Sequence, residues 1–194
     1  MKSIQTLSFL LFLLSSVVFM QCADSSTALN VAPVPGENDI LERGKYLVEI
    51  LGCHDCHSPK RLGPQGPEII PELHLSGYPS DRPVGKVIPG VLEQNDWILF
   101  GSDGTAAAGP WGISFAANIT SDESGIGSWS YEQFKIALTQ GKYKGLENGR
   151  PLLPPMPWFN YSDMKEDDLE AIFQYLKSTP AVRNLVPAPT MALN

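Results

Sequence analysis

Cysteine is scarce in this chain, with three among 194 residues, at positions 22, 53 and 56. Without a second cysteine pair a four-ligand structural zinc site cannot be assembled. Glycine patterns that cradle phosphates are missing too, since no stretch has the spacing of a dinucleotide fingerprint or a P-loop. Charge is thin and one-sided: charged residues make up 18%, and the formal net charge is -7. That balance argues against nucleic acid and anionic membrane surfaces as partners. The one acidic run, Glu166-Asp167-Asp168, opens a helical pattern, where negative charge complements the helix dipole. It reads as a helix start before it reads as a catalytic pair. Internal repeats and heptads are absent.

The apolar run Leu7–Met20 is 14 residues long, short of the ~20 a membrane-spanning helix needs. Placed after Lys2 and before a polar linker, it has the form of a secretory signal. We therefore expect export to the periplasm or cell surface, with residues 1–21 as signal peptide and 22–38 as a flexible tether. Cys22 directly follows the run and is a candidate lipid anchor, the only membrane attachment expected. The competing reading is cleavage after Ala28, where Ser26-Thr27-Ala28 supplies a small-x-small site.

What remains has enough hydrophobic residues for one core, and the 17 prolines and 17 glycines of the whole chain, nearly all of them in this part, predict long loops. Asp39–Leu51 reads as a helix with an Ile40, Tyr46, Leu47 and Ile50 stripe, a notch at Gly44 and a stop at Gly52. Residues 58–128 are the least regular; within them Trp97–Phe100 and Ile113–Phe115 are expected to pair as a short β-hairpin. Ser130 and Gln133 form a capping box ahead of Tyr131, Phe134, Ala137 and Leu138, and Gly141 ends that helix. A last helix over about Lys165–Ser178 carries Leu169, Ile172, Phe173 and Leu176 on one face, with Asp163 and Glu166 as its cap pair. The expected fold is mainly α, with a domain over 39–180 and a tail over 181–194.

Between the first helix and the irregular middle stands Cys53-His54-Asp55-Cys56-His57. Two thiols at this spacing can each bond a vinyl-derived carbon of a haem, and the histidine behind them is then held beneath the iron. A thioredoxin-like pair should follow a strand, but a helix leads in here, and a plain disulfide leaves His57 without a role. Cys53 and Cys56 are thus the expected covalent attachment points of one haem c, and His57 the expected iron ligand. A sixth ligand has two main candidates. Met156, in Leu153-Pro154-Pro155-Met156-Pro157, is flanked by prolines that restrict the backbone. His74 is the competitor and would give a lower-potential site. Met164 reads as a hydrophobic plug, and Met191 lies in a Pro/Ala tail with nothing to hold it.

These residues resemble class I c-type cytochromes. The likeness rests on Arg43-Gly44-Lys45-Tyr46-Leu47-Val48, Asn118-Ile119-Thr120, Gly125 to Ser130, Leu153 to Pro157, and Asp168-Leu169 to Lys177. It is greatest to cytochrome domains of bacterial periplasmic dehydrogenases. The resemblance implies a class I cytochrome c-like helical domain around one covalent haem, with a long irregular loop insertion. It implies His57 and Met156 as axial ligands, and a close approach of Ile172 and Tyr175 to Gly44. It further implies electron transfer with redox protein partners, a dehydrogenase subunit or a terminal oxidase, rather than catalysis by this chain. The alternative is a haem protein that reacts with or binds a small ligand at an open or His-ligated sixth position.

Overall fold

The computed structural model describes residues 36–86 and 97–191. The expected signal peptide, Cys22 and nearly all of the tether lie outside them. Four α-helices and six short strands occur among the described residues. The helices are α1 (Glu37–Ile50), α2 (Cys53–His57), α3 (Tyr131–Gln140) and α4 (Glu166–Ser178). None is long and apolar enough to cross a membrane.

α1 begins two residues before its expected start, because the Asp39 carboxylate accepts from the Gly36 N–H at 3.1 Å and satisfies a free helix donor. Its buried face is Gly44, Leu47 and Val48. Tyr46 and Ile50, expected on the stripe, are instead 53% and 57% exposed. The reason is the notch. Gly44 lies directly on α4, and residues two and six positions further along point to the other side. A Cβ on Gly44 would overlap the Ala171 carbonyl and come within 2.7 Å of Tyr175 Cβ. Tyr175 is thus at the crossing as expected, while its other partner is Ala171. Ile172 turns inward to join Leu47, Val48, Leu75, Ile126, Phe134, Leu169, Phe173 and Leu176 in the core. Full burial of each such aliphatic side chain contributes about 1.5–3 kcal/mol.

The capping box of α3 is present: the Gln133 N–H donates to Ser130 Oγ at 3.2 Å, and the Ser130 N–H donates to Gln133 Oε1 at 3.0 Å. Gly141 ends the helix at φ +63°. α4 starts differently from expectation. Lys165 occupies its cap position without a side-chain bond. Glu166 does not pair with Asp163; its carboxylate accepts from Tyr131 Oη and Lys135 Nζ, both at 2.7 Å, and ties α4 to α3.

The middle of the chain holds two antiparallel sheets. β1 (Lys60–Gly63) pairs with β2 (Gly66–Ile69). The second sheet has the order β3 (Leu99–Phe100), β4 (Ala106–Gly109), β5 (Gly112–Phe115), β6 (Thr190–Met191). The expected pairing of residues 97–100 with 113–115 does not form, because Ala106–Gly109 lies between them. Three alanines and a glycine have little strand propensity, so this buried strand gives no pattern to read. Residues 181–191, read as part of a tail, pack on the body. Asn184 Nδ2 donates to the carbonyls of Ser76 (2.7 Å) and Tyr78 (2.9 Å), and its Oδ1 accepts from the Ser80 N–H (2.9 Å). Met191 is held after all, as the strand partner of Gly112, with its side chain exposed.

One buried carboxylate organises the turn between β3 and β4. Asp103 accepts from Arg82 Nη1 at 2.5 Å, from Thr105 Oγ1 at 2.8 Å and from the Thr105 N–H at 3.1 Å. Burial alone would raise its pKa, but Arg82 and Thr105 outweigh it and hold the carboxyl below its ordinary value.

Two outcomes follow from these contacts. Gly44→Ala should reduce the unfolding free energy by about 1–3 kcal/mol, the cost of overpacking, read by urea denaturation. Asp103 contributes stability that is complete above its unfolded pKa near ~4 and lost as pH falls through the lower folded value. Asp103→Asn should therefore cost about 1.5–3 kcal/mol at neutral pH, and the penalty should shrink on acidification, followed by denaturation at pH 7 and below 4.

Candidate haem-attachment site

Gly52, at φ +68°, turns the chain sharply out of α1 and starts α2 at Cys53. Positions 53, 56 and 57 of a helix fall within an arc of about 100°, so Cys53, Cys56 and His57 share one face of this turn. His54 and Asp55 fall outside the arc. Asp55 is 70% exposed, and its carboxylate lies 3.4 Å from His54 Nε2. Both cysteines are free and half-buried. Burial pushes the Cys53 thiol up to about 11, and burial also raises Cys56 although Lys60 opposes it. Redox-active dithiols need a depressed pKa to supply a thiolate. Here both thiols are shifted in the opposite direction.

His57 is oriented by a single contact. Its Nδ1 lies 2.7 Å from the Ala117 carbonyl oxygen. A carbonyl only accepts, so Nδ1 carries the proton and Nε2 keeps its lone pair free for a metal. Burial lowers the imidazole pKa, outweighing the opposing effect of the Ala117 bond, and keeps the ring neutral.

That carbonyl reaches His57 because Gly77 lies alongside it. The Gly77 N–H donates to the His57 carbonyl at 2.8 Å, and the Tyr78 N–H donates to Ala116 O at 3.0 Å. Gly77 sits at φ +76°, and a Cβ there would overlap the Ala116 oxygen and lie 2.6 Å from the Ala117 oxygen. Ser76 and Tyr78, on either side, are the residues whose carbonyls Asn184 grips. Sequence reasoning passed over Ala117, Gly77 and Asn184. A backbone acceptor has no signature in residue type, and Gly77 is one of 17 glycines.

Met156 is half-buried in a loop pinned at two points just ahead of it. The Leu152 N–H donates to Gly141 O at 2.6 Å, and Ser114 Oγ donates to Pro154 O at 2.6 Å. The chain then enters the single-turn helix Trp158–Tyr161. Tyr161 is buried near the cysteine pair: burial first, then proximity to Cys53 and Cys56, raises its phenol pKa. His74 lies beside Ser58, the residue after His57. Its Nδ1 is 3.2 Å from Ser58 Oγ, and its pKa is lowered by burial and then by His54, which stands outside the Cys53–Cys56–His57 arc. Met164 packs against the core.

The donor set suits a haem. It combines two neutral, unbonded thiols three residues apart with an imidazole whose Nε2 is unprotonated. Among the described residues no three His, Cys, Asp or Glu side chains converge as an all-protein metal site.

Comparison with known proteins points the same way. The chain is similar to cytochrome c subunits of dehydrogenases. It is 29% identical to the gluconate 2-dehydrogenase cytochrome c subunit of Pantoea cypripedii over 140 residues, 71% of this chain and 23% of that protein. Against the cytochrome c subunit of the quinone alcohol dehydrogenase of Gluconacetobacter polyoxogenes the identity is 33% over 152 residues, 78% of this chain and 24% of the other. One of the subunits of the nicotinate dehydrogenase of Pseudomonas putida is 36% identical over 89 residues, 45% of this chain and 7% of the relative. The chain thus spans less than a quarter of the length of each. No family model matches it.

Gly77→Ala tests the geometry around His57. The left-handed backbone and the overlap with residues 116 and 117 together should cost at least about 2 kcal/mol. Urea unfolding followed by tryptophan fluorescence reads this directly.

Proposed function

We propose that this chain transfers single electrons through one haem c, attached at Cys53 and Cys56 and ligated by His57 and Met156. The observation that carries the reading is the His57–Ala117 contact behind a face shared by two free thiols. It leaves one metal-binding nitrogen aimed from a turn that can bond a haem twice. When bound, the haem supplies a one-electron Fe(III)/Fe(II) couple. The protein contributes geometry and environment. Cys53 and Cys56 fix the group, Ala117 sets the tautomer and orientation of His57, and the pinned loop presents a thioether. A site held at both axial positions reorganises little on a change of charge and leaves no open coordination position for substrate.

The fold is read as a class I cytochrome c-like helical domain, supported by the packing of α1 on α4 across Gly44. Met156 is favoured over His74 because Tyr161 leads from its loop toward the cysteines, while His74 is engaged by Ser58 beside His54. The partner is a dehydrogenase, since the relatives named above are dehydrogenase subunits. The electron arrives from that enzyme's reduced centre and leaves to an oxidised carrier or a terminal oxidase. Export to the periplasm or cell surface, with Cys22 as a lipid anchor, completes the reading.

The test is the visible spectrum of the protein matured with haem, oxidised and reduced, for wild type and Met156→Ala. The wild type should be low-spin, with a sulfur-to-iron band that the variant lacks. The variant's reduced-to-oxidised ratio at fixed poise should fall more than about tenfold, about 59 mV for one electron. An unchanged variant spectrum would reassign the sixth ligand, and a high-spin wild type that binds carbon monoxide would favour ligand binding or catalysis.

A further inference from the structure

Lys60 makes a concentration of contacts that attachment of a haem does not require. It begins β1, three residues after His57, and its ammonium reaches four carbonyl oxygens: Asp55 at 2.6 Å, Asp103 at 3.0 Å, Ser58 at 3.1 Å and His54 at 3.4 Å. Helix ends leave carbonyls without partners, and a cation at a helix C-terminus also meets the negative end of its dipole. In α2 the Gly77 N–H takes the His57 carbonyl and the Ser58 N–H the His54 carbonyl, and Lys60 serves the Asp55 carbonyl. Asp103 O is contributed from across the chain by the turn between β3 and β4, itself held by Arg82 and Thr105. Gly104 in that turn, at φ +79°, has space for no side chain on this side, since a Cβ would lie 2.8 Å from Asp55 O. The turn is seated on the end of α2, and Lys60 is the bond between them.

We propose that Lys60 is a positioning residue that locks the Cys53–His57 turn to the inserted sheet and, by its fixed positive charge beside Cys56, raises the reduction potential of the haem. This rests on the reading of the turn as a haem site. The charge effect is electrostatic: a nearby cation disfavours the oxidised, more positive iron relative to the reduced form. The locking effect is geometric, because without the ammonium the carbonyls of Asp55 and Asp103 face each other with no shared donor.

The experiment uses the full chain matured with haem. Midpoint potentials of wild type, Lys60→Arg, Lys60→Gln and Lys60→Met are measured by spectroelectrochemical titration. The two neutral variants should lower the reduced-to-oxidised ratio at fixed poise by roughly three- to tenfold. Lys60→Arg, which keeps the charge, should stay within about twofold of wild type. If Lys60→Met fails to mature, the Arg and Gln pair carries the comparison. Neutral variants that retain haem at an unchanged potential overturn the inference, as does an arginine variant displaced as far as glutamine. A wild type with no covalent haem overturns this inference and the reading of the site together; a wild type with haem and unmoved neutral variants overturns this inference alone.

Discussion

The hydrogen bond between His57 Nδ1 and the Ala117 carbonyl is the constraint on which the functional arrangement depends. It decides which ring nitrogen is available, and it can do so only if a segment just beyond β5, sixty residues away, is brought to within 2.7 Å of the ring. Much of the architecture serves that approach. Gly77 removes the steric barrier between the two segments, and Tyr78 and Ala116 share a backbone bond that sets their register. Asn184 clamps the same segment from the other side through three bonds. Backbone groups of this kind are rigid because their alternatives in a buried setting are unsatisfied.

Helices were legible from sequence where tertiary structure and local pattern agree. Ser130 with Gln133, and Leu169 with Ile172, Phe173 and Leu176, announce their roles by spacing alone, because capping and burial act over three or four residues. The α1 stripe misled at Tyr46 and Ile50, since a glycine, which contributes nothing to an apolar pattern, sets which face turns inward. Ala106–Gly109 was invisible for a related reason: small residues fit a crowded sheet but carry no strand signal. At the Cys53–His57 turn, Cys53, Cys56 and His57 stood out as candidates because their spacing is one that bonding to a single rigid group would require. Their supports were not, being main-chain atoms contributed from distant segments.

The buried polar side chains among the loops show a division of labour. Asp103 and Asn184, both largely buried, saturate their side chains with local donors and acceptors. Such fully paired groups specify one arrangement of loops that have little apolar surface to order them. On the proposed reading, a haem on a loop-rich domain would need that, because a prosthetic group held by an uncertain scaffold would sample many environments. Low reorganisation on the proposed electron transfer would then be a property of the loops as much as of the metal.

β6 and α4 both lie late in the chain, yet each completes an early element: β6 closes the sheet on β5, and α4 covers the Gly44 face of α1. Bringing together segments so distant in sequence must precede the gain from their contact. The polypeptide therefore commits to its final shape late. Until α4 docks, the α1 face that leads into Cys53 lacks its cover, so the two thiols emerge from a partly open scaffold. Bond formation at the cysteines and closure of the helix pair are consequently separable events, and a chain interrupted before Glu166 would present its thiols without the packing that shelters them.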